Sequence, residues 1–117
     1  MRAEERLRLD QREEEGASIV RPVGEVDVFT APILRELLVK LVEGGARRVI
    51  IDLSDVTFLD STGLAILVGI WQRVRNHDGF FAVAAANERI ERVLRTTRLD
   101  QSLRLHGTVE EAVQSSK

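Results

Sequence analysis

Apolar and polar positions change period several times along the chain, and each change marks an element. Arg6 to Gln11 alternates, with Leu7 and Leu9 on one side and Arg6, Arg8 and Asp10 on the other. Period two predicts a half-buried strand. Glu13–Gly16 breaks it as a turn, and Ala17 to Val23, with Ile19, Val20 and Val23, predicts a second strand of an N-terminal β-hairpin. Pro22 inside that run requires a free edge or a bulge. The period then lengthens. Ile33, Leu34, Leu37, Leu38, Leu41 and Val42 fall on one helical face, with Arg35, Glu36, Lys40 and Glu43 opposite. Thr30 is placed to cap this helix, Pro32 suits its first turn, and Gly44-Gly45 predicts a left-handed end. Val49-Ile50-Ile51-Asp52-Leu53 is a continuous apolar run, as in a parallel strand buried on both faces.

Val56 to Leu59 reads as extended, and a long helix follows from Gly63 to about Asn76. Leu64, Leu67, Trp71 and Val74 form its core stripe, flanked by Val68 and Ile70. Phe80 to Ala85 predicts a strand, Asn87 caps a helix bearing Ile90, Val93 and Leu94, and Ser102 to Leu105 predicts a last strand. Thr108 and Glu111 have capping-box spacing before a terminal helix. Strand and helix alternate after the hairpin. The expected fold is therefore α/β, one domain over residues 1–117 with a mixed sheet packed with helices and charged ends.

Composition narrows the chemistry. The chain has 117 residues, no cysteine, no tyrosine and only His77 and His106 as histidines. Thiolate chemistry, disulfides and cysteine-based zinc sites are excluded, and the acid–base inventory is thin. Neither histidine has a partner at metal-ligand spacing, so no metal or cofactor is expected. The 17 basic and 19 acidic side chains leave a net charge of −2. That balance and five aromatic rings argue against a nucleic-acid partner. The longest apolar stretch, Leu64 to Trp71, is too short to span a bilayer, and the Arg/Glu-rich start has no export signal. A cytoplasmic setting without membrane contact is the expectation. Arg89, Arg92, Arg95 and Arg98 recur every third residue. Fifteen of the 17 basic residues are arginine, so a solvated helix face is favoured over an anion- or partner-contacting stripe.

The informative stretch is Asp60-Ser61-Thr62-Gly63. It delivers a carboxylate and two hydroxyls to the first turn of the long helix, where free N–H groups and the dipole favour negative charge. Local pattern alone favours plain capping by the Ser61 or Thr62 hydroxyl. The functional reading is phosphorylation of Ser61, which would set a near-divalent charge beside Asp60. Glu25 and Asp27, in Gly24-Glu25-Val26-Asp27, precede the first helix. They are either solvated loop carboxylates or, if the strand ends meet at one sheet edge, neighbours of Ser61. Asp27 could then orient the serine hydroxyl or help position a kinase-bound metal ion. Ala65, Ile66 and Gly69 lie off the core stripe. Gly69 either makes room for an internal neighbour or joins Ala65 and Ile66 in a smooth surface that a partner approaches closely.

Gly24-Glu25-x-Asp27, Thr30-Ala31-Pro32, Val49-x-x-Asp52-Leu53-x-x-Val56 and Phe58-x-Asp60-Ser61-Thr62-Gly63-Leu64 together resemble the STAS domains of bacterial anti-sigma factor antagonists. The resemblance runs from about Val20 to Leu99. It implies phosphorylation of Ser61 by the anti-sigma factor, itself a serine kinase. The unphosphorylated form would bind that kinase and free a sigma factor, and a phosphatase would reset the switch. It also implies partner docking on the serine loop and the helix after it, with Glu25, Ala65, Ile66 and Gly69 as contacts and Asp27, Asp60, Thr62 and Gly63 supporting the phosphosite. The pattern departs at Arg95 and Arg98, where an acid and a glycine are expected. An alternative is a STAS interaction or scaffold module in another signalling complex. A serine hydrolase fits badly, since Ser61 lacks the Gly-x-Ser-x-Gly elbow and no histidine is placed to activate it. Nucleotide binding lacks a glycine-rich phosphate loop.

Overall fold

The computed structural model describes residues 2–117. A single helical turn, α1 (Ala3–Arg6), leads into the hairpin of β1 (Leu7–Glu14) and β2 (Ala17–Val26). Arg6 therefore lies before the strand, and β1 runs beyond Gln11 to Glu14. Only Glu15 and Gly16 turn, both at positive φ. That pairing matches the twist of a two-residue hairpin. The rest follows as α2 (Ala31–Glu43), β3 (Arg48–Asp52), β4 (Val56–Leu59), α3 (Ser61–Asn76), β5 (Phe80–Ala84), α4 (Glu88–Thr96), α5 (Leu99–Ser102), β6 (Leu105–His106) and α6 (Val109–Ser115).

The sheet runs β1-β2-β3-β5-β6, with β4 paired to β2. The hairpin is antiparallel and every other pairing is parallel. β3 pairs Ser18–Val20, and β4 pairs Gly24–Val26 further along the same side of β2. Pro22 falls in the gap between them, where its missing N–H leaves no parallel ladder bond unmade. The bulge comes just after it, between Gly24 and Glu25.

Alternation along the buried strands divides the core. Val49 and Ile51 join α2, α3 and α4 in the main cluster, with Leu34, Leu38, Leu67, Ile70, Val74 and Leu94. Ile50 faces the other way, against Val109, Ala112 and Val113 of α6. Each such aliphatic side chain contributes roughly 1.5–3 kcal/mol when fully buried. Strand β3 is thus held from both sides, as its unbroken apolar run predicts.

Three expectations are corrected. The Thr30 hydroxyl does not cap α2. It donates to the Glu25 carbonyl at 2.8 Å and accepts from the Asp27 N–H at 2.8 Å, so it ties the preceding loop instead. The stretch predicted as a strand over Ser102–Leu105 begins with the end of α5, and β6 spans only Leu105–His106. Apolar residues at Leu99 and Leu103 are read by packing rather than by alternation. Val93 is exposed, so only Ile90 and Leu94 anchor α4. The left-handed end expected of Gly44-Gly45 is present where α2 stops, at Gly45. No helix among the described residues is long and apolar enough to cross a membrane.

Candidate functional site

Strands β2 and β4 end level with each other, Val26 opposite Leu59. The Asp60 N–H donates to the Val26 carbonyl at 3.2 Å. The segments carrying Asp27 and Asp60 therefore leave the sheet as neighbours. The strand ends do collect at one edge, as the functional reading of Glu25 and Asp27 requires.

Asp60 is the N-cap of α3, and its Oδ1 accepts from the Gly63 N–H at 3.0 Å. The expectation that the Ser61 or Thr62 hydroxyl makes the cap is corrected, because the extended Asp60 backbone puts the shorter reach on the carboxylate. Ser61, the first helical residue, is exposed, and its hydroxyl is spared capping duty. Thr62 is half-buried. Gly63 is buried against the end of β2. A Cβ there would stand 2.5 Å from Leu59 Cδ1, 2.8 Å from Val26 Cγ1 and 3.1 Å from the Val26 carbonyl oxygen. Glycine is what lets the first turn of α3 seat on the sheet and fixes the height of Ser61.

The Asp27 carboxylate is occupied by its own loop and by Arg6. Arg6 Nη1 donates to Oδ2 at 2.6 Å and Nη2 to Oδ1 at 3.3 Å. Oδ1 also accepts from the Phe29 and Thr30 N–H groups at 2.9 and 3.0 Å. Asp27 thus builds the turn into α2, and these bonds run to its loop and to Arg6, not to the Ser61 hydroxyl. Donation from Arg6 first, and from the two backbone N–H groups after it, holds the Asp27 carboxyl down to about 2, against the opposing cost of burial. A depressed folded-state value makes its stabilisation complete above the unfolded value near 3.8 and lost as pH falls through about 2. Asp27→Asn keeps the acceptor oxygen and removes the charge. The melting-temperature gap between wild type and this variant is therefore expected to shrink between about pH 5 and about pH 2. Thermal melts across that range check it; a gap that stays constant would contradict the ion pair's role.

Ser61, Ala65 and Gly69 succeed one another at four-residue spacing, and all three are exposed. They form one stripe, roughly 12 Å from Ser61 to Gly69 at the α-helical rise. Ile66 is half-buried beside it. Ala65, Ile66 and Gly69 line a small cavity of about 110 Å³ with Arg35, Val39, Ile70 and Arg73, between α2 and α3. A Cβ at Gly69 would meet nothing within 4 Å, so this glycine makes no room for an internal neighbour. Its effect is a low spot on the outer surface. Glu25 lies near Arg6, with Oε2 at 3.4 Å from Nη1.

Sequence reasoning missed Arg6, Val28, Phe29 and Phe58. Val28 and Phe29 are 56% and 71% exposed in the loop before α2, and Phe58 is 42% exposed on β4. Two adjacent apolar residues in a loop that fits neither the period of two nor that of 3.6 were the available signal. The arginine series on α4 is divided. Arg95 pairs with Glu91 at 2.8 Å and lies 3.7 Å from Asp100, while Arg89 and Arg92 line an open groove beside Thr57 and Asn87. Arg98 takes a φ of 62°, the left-handed conformation that the absent glycine would have supplied. His77 is exposed at the end of α3. His106 contacts the Arg104 carbonyl at 2.7 Å and the Ser115 hydroxyl at 3.1 Å.

Comparison with known proteins gives consistent results. The STAS domain family is matched over residues 8–112. The anti-sigma-B factor antagonist of Bacillus subtilis (strain 168) is 36% identical over 108 residues, covering 92% of this chain and 98% of that protein. The anti-sigma-B factor antagonist of Staphylococcus aureus (strain NCTC 8325) is 31% identical over 91 residues, covering 78% and 84%. Among crystal structures, an anti-sigma factor antagonist from Mycobacterium paratuberculosis superposes with a TM-score of 0.84 at 29% identity, covering 99% of this chain and 98% of its own. This chain belongs to the STAS domain family, the family of those anti-sigma factor antagonists.

Proposed function

We propose that the protein is an anti-sigma factor antagonist switched off by phosphorylation of Ser61. In this reading the unphosphorylated form binds an anti-sigma factor that is itself a serine kinase, and so releases a sigma factor. The kinase then transfers the γ-phosphoryl group of its nucleoside triphosphate to Ser61 Oγ: the bond from the γ-phosphorus to the bridging oxygen breaks, the nucleoside diphosphate leaves, and the hydroxyl proton passes to a base on the kinase. A phosphatase reverses the modification. The observation that carries the reading is the exposed Ser61 at the start of α3, with its cap supplied by Asp60 and a smooth stripe through Ala65 and Gly69 leading away from it.

The site explains why such a switch would act on binding and leave the fold alone. A phosphate at the first residue of a helix is favoured by the dipole and by free N–H groups. Its charge lies on the outside, and Asp60 continues to hold the Gly63 N–H. A kinase docked over the loop meets about two new negative charges next to Asp60, and the complex is weakened by repulsion. Glu25, Ala65, Ile66 and Gly69 supply the contact surface, and the exposed Val28 and Phe29 extend it. Gly63 keeps the serine turn seated on the sheet, and Asp27 holds the neighbouring loop.

Ser61→Asp is expected to bind the anti-sigma kinase on the order of tenfold more weakly than wild type. Part of the loss should be recovered in high salt, because screening weakens exposed charge repulsion. Titration calorimetry at two ionic strengths checks both points. Equal affinities for the variant and wild type would refute repulsion as the release mechanism.

A further inference from the structure

We infer that Arg6 is a positioning residue for partner recognition: it fixes the Glu25–Thr30 loop so that Val28 and Phe29 are presented to the anti-sigma factor from the Ser61 end of the sheet. The inference rests on the antagonist reading and adds a residue outside the serine loop and α3.

Arg6 makes every contact that such a role needs. Its guanidinium forks onto Asp27, reaches Glu25 at 3.4 Å and lies 5.9 Å from the centre of the Phe29 ring. A planar, delocalised cation suits all three, since a fork matches a carboxylate and its face suits an aromatic ring. The side chains of Arg6 and Asp27 are only 20% and 15% exposed, so the pair is partly shielded from solvent. The backbone is fixed as well. Leu7 stands opposite Gly24 in the hairpin, and a Cβ on Gly24 would collide with the Arg6 carbonyl oxygen. Gly24 has a φ of +123° and starts the bulge that shifts the register against β4. Arg6 is thus anchored at the base of the loop it holds.

What the loop presents is apolar and exposed. Val28 and Phe29 are the most exposed large apolar side chains among the described residues. Donation to Asp27 from Arg6 and from the Phe29 and Thr30 N–H groups, and from the Thr30 hydroxyl to the Glu25 carbonyl, shapes the loop around them. A preformed loop binds without the ordering cost that a mobile one incurs. The same cation also offsets the repulsion between Glu25 and Asp27, which would otherwise spread the loop. Phe29 and Ser61 depart from the ends of adjacent strands, so one partner surface can meet both.

The test uses Arg6→Met, which keeps the stem and removes the fork and the charge, and Arg6→Lys, which keeps the stem and the charge and removes the fork. Amide hydrogen exchange is read at Phe29 and Thr30, whose N–H groups donate to Asp27, with the Gly63 amide as an internal control. Binding to the anti-sigma kinase of the same organism is read in parallel. Arg6→Met should exchange faster at Phe29 and Thr30, leave Gly63 unchanged and bind about tenfold more weakly, with Arg6→Lys between it and wild type. Wild-type exchange at both amides in Arg6→Met overturns the tether. Faster exchange with undiminished binding overturns the role in recognition. Wild-type protein that binds no anti-sigma kinase overturns the antagonist reading itself, and this role with it.

Discussion

Gly69→Arg is expected to abolish capture of the anti-sigma kinase while leaving the domain folded. The side chain would rise from the far end of the exposed stripe on α3, two helical steps of four residues from Ser61. No atom lies within 4 Å of the position its Cβ would take, so the substitution does not strain the interior. Glycine inside a helix also costs about 1 kcal/mol relative to good helix formers, so the variant should melt no lower than wild type. A partner that approaches closely enough to need glycine cannot accommodate a seven-atom cationic side chain there. Pull-down with the kinase, paired with a thermal melt, measures both halves. Undiminished capture would show that the partner does not use this face. A collapsed melting temperature would show that Gly69 is structural after all.

Gly63→Val is expected to act in the opposite manner, through the fold first. Its Cβ would press on Leu59, Val26 and the Val26 carbonyl, and two further methyl groups have no space between α3 and β2. Overpacking of this kind costs about 1–3 kcal/mol, or roughly 4–12 °C in melting temperature for a chain of this length. Relief requires the first turn of α3 to lift from the sheet. That shift breaks the Asp60 cap and moves Ser61, so phosphorylation should slow along with the loss of stability. A melting temperature equal to wild type would mean that the close approach at Gly63 is not what seats the helix. The contrast between the two glycines is informative. They lie six residues apart on one helix, yet one is required by what lies beneath it and the other by what comes from outside.

Much of this was legible from pattern. The unbroken run Val49–Leu53 announced a strand buried on both faces, and alternate residues of β3 do enter separate clusters. Asn87 and Thr108 cap as their positions indicate, accepting from Ile90 and Glu111. Pro22 foretold a break in pairing, and a gap and a bulge follow there. The resemblance carried by Gly24–Leu64 named the family. What stayed hidden depends on contacts between distant positions. Arg6 looked like an outward strand residue, because its partner Asp27 is brought near only by the hairpin register. Thr30 had the right type for a cap, but a neighbouring carbonyl and N–H claimed its hydroxyl. The surroundings of Gly69 and the exposure of Phe29 depend on which neighbours pack nearby, and no local spacing reports that. At Ser102–Leu105 the end of α5 and a turn take most of the predicted strand, which begins only at Leu105, because burial of Leu103 in the main core decides that segment.

The most direct measurement is the intact mass of the protein after co-expression with the anti-sigma kinase. Wild type should gain the mass of one phosphate, and Ser61→Ala should gain none while keeping the same melting temperature. A phosphate that persists on Ser61→Ala would contradict the assignment of the switch to this residue.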